Sequence, residues 1–184
     1  MNLKIVRSKF KQIIENRSSH IPNSKNYIKL NRYFKLYFKD HLSKKKSNFY
    51  LPLIGNFKLP FYNMGNINSS HLLGLDEIII FTFYVLRRKK INKVADLGAN
   101  IGMHSIILGK LGFKVRAYEP DPDHALQFKI NINLNKLKNI SLIKKAVDTK
   151  IGNVLFTKII NNTTGSFIKK AKKKTYGPVK RFKV

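Results

Sequence analysis

Between Lys93 and Val147 strand-length apolar segments alternate with helix-length ones, and this alternation limits the fold more than any other feature of the chain. KVADL (93–97) reads as an apolar strand, IGMHSIILGKLG (101–112) as a helix stopped by Gly112, and KVRAYE (114–119) as a second strand. Asp121-Pro122 supplies an N-cap and a first-turn proline for a second helix, for which Leu126, Ile130, Leu134 and Leu137 predict a buried stripe. ISLIKKAV (140–147) is a third strand and GNVLFTKII (152–160) a fourth. Alternation at this spacing implies an α/β fold with a parallel sheet and right-handed crossovers.

Upstream the pattern changes. Residues 1–47 form a basic N-terminal arm, and residues 48–184 the main domain, divided into a hairpin and loop (48–75) and the α/β part (76–184). Within the arm, NYIKLNRYFKLYFKDHL (26–42) reads as an amphipathic helix: Tyr27, Leu30, Phe34, Tyr37 and Phe38 share one face, while Lys25, Lys29, Arg32, Lys35 and Lys39 favour others. A basic amphipathic helix can lie on an anionic membrane, but docking onto its own domain is the favoured reading. Lys44-Lys45-Lys46-Ser47-Asn48 reads as a linker. FYLPLIGNFKLPFY (49–62) reads as two extended segments hinged at Ile54-Gly55-Asn56, with Pro52 and Pro60 confining it to edge positions. NMGNINSSH (63–71) is a loop, and Asp76-Glu77 then opens a helix running to about Lys90, acids first and bases last, as the helix dipole favours.

Composition narrows the class. A chain of 184 residues with 43% apolar content suits one folded domain with an added arm. The longest apolar run, IIIFTFYVL (78–86), is far shorter than a bilayer span, and the basic N-terminus has no continuous apolar stretch after it. With no cysteine there is no disulfide and no cysteine-based zinc site; a reducing cytoplasm is the expected location, and no metal is expected. The net charge of +28 is mostly lysine, over-used together with Asn and Ile along the whole chain, which describes a solvated surface better than a nucleic-acid footprint. An alternative stays open: a non-catalytic basic module that binds RNA or an anionic membrane through the arm and the KKAKKK stretch (169–174).

The turn after the first strand, Asp96-Leu97-Gly98-Ala99-Asn100-Ile101-Gly102, carries the chemistry. Dinucleotide sites use G-x-G-x-x-G because pyrophosphate must approach the backbone. Here Asn100 replaces the middle glycine and Asp96 stands two residues before the first, so pyrophosphate would be repelled. A ligand with an ammonium and a carboxylate fits instead: Asp96 for the ammonium, the turn's N–H groups and the helix N-terminus for the carboxylate. Glu119 falls twenty-one residues after Gly98, near the spacing at which an acid accepts both ribose hydroxyls of a nucleoside. Amine, carboxylate and ribose together describe S-adenosylmethionine. Taken singly, Asp96 could be an ordinary cap and Glu119 a turn acid before Pro120; in register they favour the cofactor.

DLGANIGMHS, YEPDP, the Asn131-to-Asn135 NxxLN, KAVDTKIGNVLF and TTGSF (163–167) occur in an order and at a spacing that resembles the FkbM-type family of S-adenosylmethionine-dependent methyltransferases, over about residues 50–184. The resemblance implies a Rossmann-like class I methyltransferase sheet, mostly parallel, and O-methyl transfer to a hydroxyl of a sugar, glycan or other small molecule. It implies cofactor contacts from Asp96, Gly98, Asn100 and Gly102, with Glu119 on the ribose. Ser105 would bind the methionine carboxylate, Glu77 would face the cofactor from the preceding helix, and Asp148 would meet the adenine amino group. His104 is the candidate general base, ahead of His124. Neither Asn-Pro-Pro-Tyr nor Asp-Pro-Pro-Tyr, the signature of amino-group methylation on bases, occurs, so a nucleic-acid partner is disfavoured. Family members continue with further strands, so the expectation is an N-terminal part of such an enzyme, with the C-terminal strands missing and weak or no activity alone. Neither the methyl acceptor nor the oligomeric state is legible in the sequence.

Overall fold

The computed structural model describes residues 3–42, 47–168 and 177–184. Lys44 to Lys46 of the expected linker and the KKAKKK stretch lie outside the described residues.

The basic arm holds two helices, α1 (Leu3–Glu15) and α2 (Lys25–His41). Sequence reasoning anticipated only α2. In α1, Val6, Phe10 and Ile13 are buried while Arg7 and Lys11 face out, the spacing of a helix with one apolar face. Ser24 caps α2 by accepting from the Tyr27 N–H at 3.1 Å. The α2 stripe is buried inside the protein: Leu30, Phe34, Tyr37 and Phe38 are each at most 5% exposed and join the central apolar cluster. Burying each such side chain contributes about 1.5–3 kcal/mol, which holds the helix on the domain.

Strands β1 (Asn48–Leu51) and β2 (Gly55–Lys58) form an antiparallel hairpin. Its turn begins earlier than expected, at Pro52, because proline has no N–H to give a strand partner. Leu53 and Gly55 take left-handed φ values of 67° and 95° to complete it. Helix α3 (Leu75–Arg87) starts on Asp76 and Glu77 as anticipated but ends at Arg87, short of Lys90.

The centre is a parallel sheet in the order β3 (Lys93–Leu97), β4 (Lys114–Tyr118), β5 (Ile140–Ile143). Helix α4 (Met103–Lys110) connects the first pair and α5 (Pro122–Leu134) the second. Most of α4 is buried, which explains its lack of a polar face. Gly112 then turns the chain at φ 92° into β4.

Two expectations fail. Leu126, Ile130 and Leu134 are 60%, 44% and 39% exposed, so they are not the buried stripe of α5; of the four, only Leu137 packs on the core. The helix is rotated by polar anchors instead: Asn131 Nδ2 donates to Ile101 O at 2.8 Å, and Asn135 bonds both backbone groups of Lys58, turning Ala125 and Phe128 inward. The fourth strand, β6 (Leu155–Ile159), leaves the parallel sheet altogether. It pairs antiparallel with β7 (Phe167–Ile168) and β8 (Val179–Lys183) in a separate sheet of order β7-β6-β8. A parallel neighbour requires a crossover of about a dozen residues or more, usually helical, and residues 144–154 form no helix.

Candidate functional site

Register places the two candidate acids. Asp96 pairs with Ala117 and Leu97 with Tyr118, so Asp96 and Glu119 stand at the C-terminal tips of adjacent parallel strands. The turn between β3 and α4 is stapled to the end of β4. Gly98 and Ala99 N–H both donate to Tyr118 O, at 2.9 and 3.0 Å, and Asn100 N–H donates to Glu119 Oε2 at 2.6 Å. Ile101 N–H donates to the Asn100 side chain at 2.7 Å and Gly102 N–H to Ala99 O at 2.9 Å. The turn's N–H groups are therefore engaged internally. An anionic group arriving there meets the first-turn N–H groups of α4, which a helix leaves without intrahelical partners.

The two turn glycines have different reasons to be glycine. Gly98 has φ 75° and a Cβ added to it would meet nothing within 4 Å, so this face is open. Gly102 has φ 86°, and its Cβ would lie 2.1 Å from the Phe128 ring; it is glycine so that α5 can pack against the turn. Asn100 also takes a left-handed φ, 53°.

A cleft of about 610 Å³ opens beside this turn, within the range of small-molecule sites. Glu77, Asp96, Gly98, Asn100 and His104 line it, and α2 adds Tyr27, Asn31 and Lys35. Asp96 is half-buried, and its Oδ2 accepts from the Ser105 hydroxyl at 2.6 Å. Ser105 is fully buried beneath it rather than on the cleft wall. Among the described residues, no Lys or Arg forms an ion pair with Asp96. Glu119 is 4% exposed and is held from both sides, Oε1 accepting from Asp121 N–H at 2.8 Å and Oε2 from Asn100. Burial pushes its carboxyl above the ordinary value, opposed by these two backbone hydrogen bonds.

His104 sits between two partners. Its Nε2 is 3.0 Å from Glu77 Oε2, and its Nδ1 is 3.0 Å from the Tyr84 hydroxyl. Burial first, then the charges of Asp96 and Glu77, push Tyr84 up to about 12, so it stays a neutral phenol. Asp148 lies elsewhere, in a second cleft with Leu97 and Tyr118, where it accepts from Thr149 N–H. Thus Asp96, Gly98, Asn100, Glu77 and His104 share one cleft, Glu119 backs it from behind Asn100, Ser105 and Gly102 support it from within, and Asp148 stands apart. A larger cavity, about 720 Å³, opens at the opposite end of the strands among Lys93, Lys114, Arg116 and Lys138. Ligands of parallel sheets bind at the carboxyl ends, so the smaller cleft is the candidate.

Sequence reasoning missed three groups. Tyr84 lay hidden in an apolar run. Asn131 and Asn135 were visible as NxxLN without a role; both are buried and fix α5 against the turn and the hairpin. The third is an ionic cluster in which the buried Lys158 Nζ lies 2.8 Å from the buried Asp121 Oδ2 and 2.6 Å from Oδ2 of the exposed Asp123. Beside it His124 is buried, with Nε2 2.8 Å from the Thr163 hydroxyl, and burial lowers its pKa. That places His124 in the joint between the two sheets.

No family model matches the chain, and no curated protein does at a significant level. Among solved structures it is similar to a candidate rRNA-methylase from Clostridium thermocellum, with 14% identity, 36% of this chain and 40% of that one covered, and a TM-score of 0.32. It is also similar to the SAM-dependent methyltransferase from Agrobacterium tumefaciens, with 17% identity, 54% of this chain and 32% of that one covered, and a TM-score of 0.42. The chain spans less than half the length of either structure.

Proposed function

We propose that the chain binds S-adenosylmethionine in the cleft at the tips of β3 and β4, as the cofactor-holding half of a Rossmann-like methyltransferase. One observation carries this reading. In a chain with 37 Lys and Arg against nine acids, Asp96 lines a cleft with no Lys or Arg paired to it among the described residues. It is thereby available to a cationic ligand group.

The residues fit the cofactor. Asp96 would take the ammonium, the N-terminus of α4 the carboxylate, and the open face of Gly98 allows close approach. Each Glu119 oxygen accepts one backbone N–H and keeps a lone pair for a ribose hydroxyl. Asn100 and Glu77 wall the cleft, Gly102 and Ser105 support it from within, and Asp148, in its separate cleft, has no part in it. When bound, the cofactor supplies an electrophilic sulfonium methyl. The acceptor would be a hydroxyl of a sugar, glycan or small molecule, aligned against that methyl. His104, oriented by Glu77 and Tyr84, would accept the hydroxyl proton.

Calorimetric titration with S-adenosylhomocysteine tests the reading. Wild-type protein should release binding heat, and Asp96→Ala or Glu119→Ala should weaken binding about 100-fold, the loss of a charge-assisted hydrogen bond at the upper end of its range. A correctly folded wild-type sample that gives no heat would overturn it.

A further inference from the structure

Helix α3 presents an apolar stripe to solvent. Ile80, Phe83 and Leu86 are 39%, 51% and 59% exposed, while Ile78, Phe81 and Val85 on the other side are buried in the core. Ile80, Phe83 and Arg87 recur at helical spacing and form one strip. Ile91, just past the helix, extends it at 42% exposure.

The strip runs directly into positive charge. Arg87, Arg88, Lys89, Lys90 and Lys93 are all exposed, and among the described residues none has an ion-pair partner. No acidic residue occurs from Ile78 through Ala95. The Arg87 guanidinium lies over the Phe83 ring, 5.3 Å from its centroid, so the cation is already held above the largest apolar side chain of the strip. Cations alone would fit any polyanion. Cations continuous with an aromatic and aliphatic strip fit a narrower class: a surface with an oily layer beneath negative headgroups. Nucleic acid would leave Ile80, Leu86 and Ile91 against water and phosphate. A second copy of this chain would bring another +28 charge against the same face.

We propose that the outer face of α3, with the Arg87–Lys90 cluster, docks the protein on an anionic phospholipid bilayer. Phe83 and Leu86 enter the headgroup boundary and the cations meet lipid phosphates. The surface differs from the α2 stripe anticipated in the sequence, whose Leu30, Phe34, Tyr37 and Phe38 are buried in the core, and it is independent of the cofactor reading.

Cosedimentation with vesicles of phosphatidylcholine containing about one-third phosphatidylglycerol tests it. The 184-residue protein should pellet with these vesicles and not with pure phosphatidylcholine. Replacing Arg88, Lys89 and Lys90 by Gln should weaken partitioning about 100-fold, near fivefold per cation. The double variant Phe83→Ser, Leu86→Ser should also lose binding at unchanged charge, while Leu126→Ser, Ile130→Ser on the exposed side of α5 should retain it. Circular dichroism confirms that each variant is folded. Equal pelleting of the Phe83→Ser, Leu86→Ser variant and wild type would overturn the proposal, and so would binding lost equally from the α5 variant. Displacement by RNA without sensitivity to Phe83 would assign the cations to nucleic acid instead.

Discussion

Asp96 and Asp121 both mark the passage from a parallel strand to a helix, yet their surroundings are opposite. Asp121 is fully buried and is paired with Lys158 at 2.8 Å. Burial alone would lower the Lys158 pKa, but the hydrogen bonds to Asp121 and Asp123 outweigh it and the net shift is upward. Asp96 is half-exposed, takes one serine hydroxyl, and is left without a Lys or Arg partner among the described residues. A carboxylate removed from water must find a counter-charge or hydrogen-bond donors inside the protein, as Asp121 finds Lys158 and Glu119 finds two backbone N–H groups. One that faces a cleft can be left for a ligand. The chain has cations in great excess, so the missing partner at Asp96 distinguishes the site from the joint.

The largest expected effect breaks the paired side of that comparison. Lys158→Ala leaves Asp121 buried and unpaired and should lower unfolding stability by about 3–5 kcal/mol in urea titration. The Asp123 carboxyl is held below its ordinary value, first by its hydrogen bond from Lys158, with burial opposing. Its stabilisation is therefore present above the ordinary carboxylate range and lost as pH falls through the lowered folded-state value. The melting temperature of wild type should drop on acidification, and Lys158→Ala should flatten that drop. A variant with the wild-type acid profile would show that the pair does not hold the two sheets together.

Next come the glycines of the open side. Gly102→Ala forces a Cβ into the Phe128 ring at a left-handed φ and should cost about 3 kcal/mol. Gly98→Ala meets only the backbone penalty, about 1 kcal/mol, and should weaken S-adenosylhomocysteine more than it weakens the fold. If Gly98→Ala proves the more destabilising of the two, the division between packing glycine and cleft glycine is wrong. Smallest of all, Leu126→Gln on the solvent face of α5 should shift stability by no more than about 0.5 kcal/mol. A loss of 2 kcal/mol or more there would restore the stripe that periodicity first suggested.

That stripe shows where sequence reading reaches its limit. Leu126, Ile130 and Leu134 obey helical spacing, and the helix is real, but spacing does not say which face turns inward when two faces compete. Asn131 and Asn135 decided it, because a buried amide with satisfied hydrogen bonds fixes a rotation that a few leucines do not. The fourth strand teaches the same lesson. GNVLFTKII has the composition of a strand, and it is one, yet its partners are β7 and β8, and β8 comes from residues 179–183, far along the chain. Pairing is long-range and leaves little trace in local pattern. Helix α1 was legible in Val6, Phe10 and Ile13 but was masked by the surrounding charge.

The sequence by itself determined the β3–α4–β4–α5–β5 order, the caps at Asp121 and Gly112, and the presence of two acids flanking a glycine turn. Each rests on local forces: backbone conformation, capping and short-range periodicity. Only the tertiary structure decided that the turn's N–H groups are already engaged, that Gly102 answers to Phe128, and that Glu77 and His104 reach the same cleft as Asp96. These depend on atoms brought together from distant parts of the chain, where packing volume and hydrogen-bond satisfaction, rather than propensity, set the outcome.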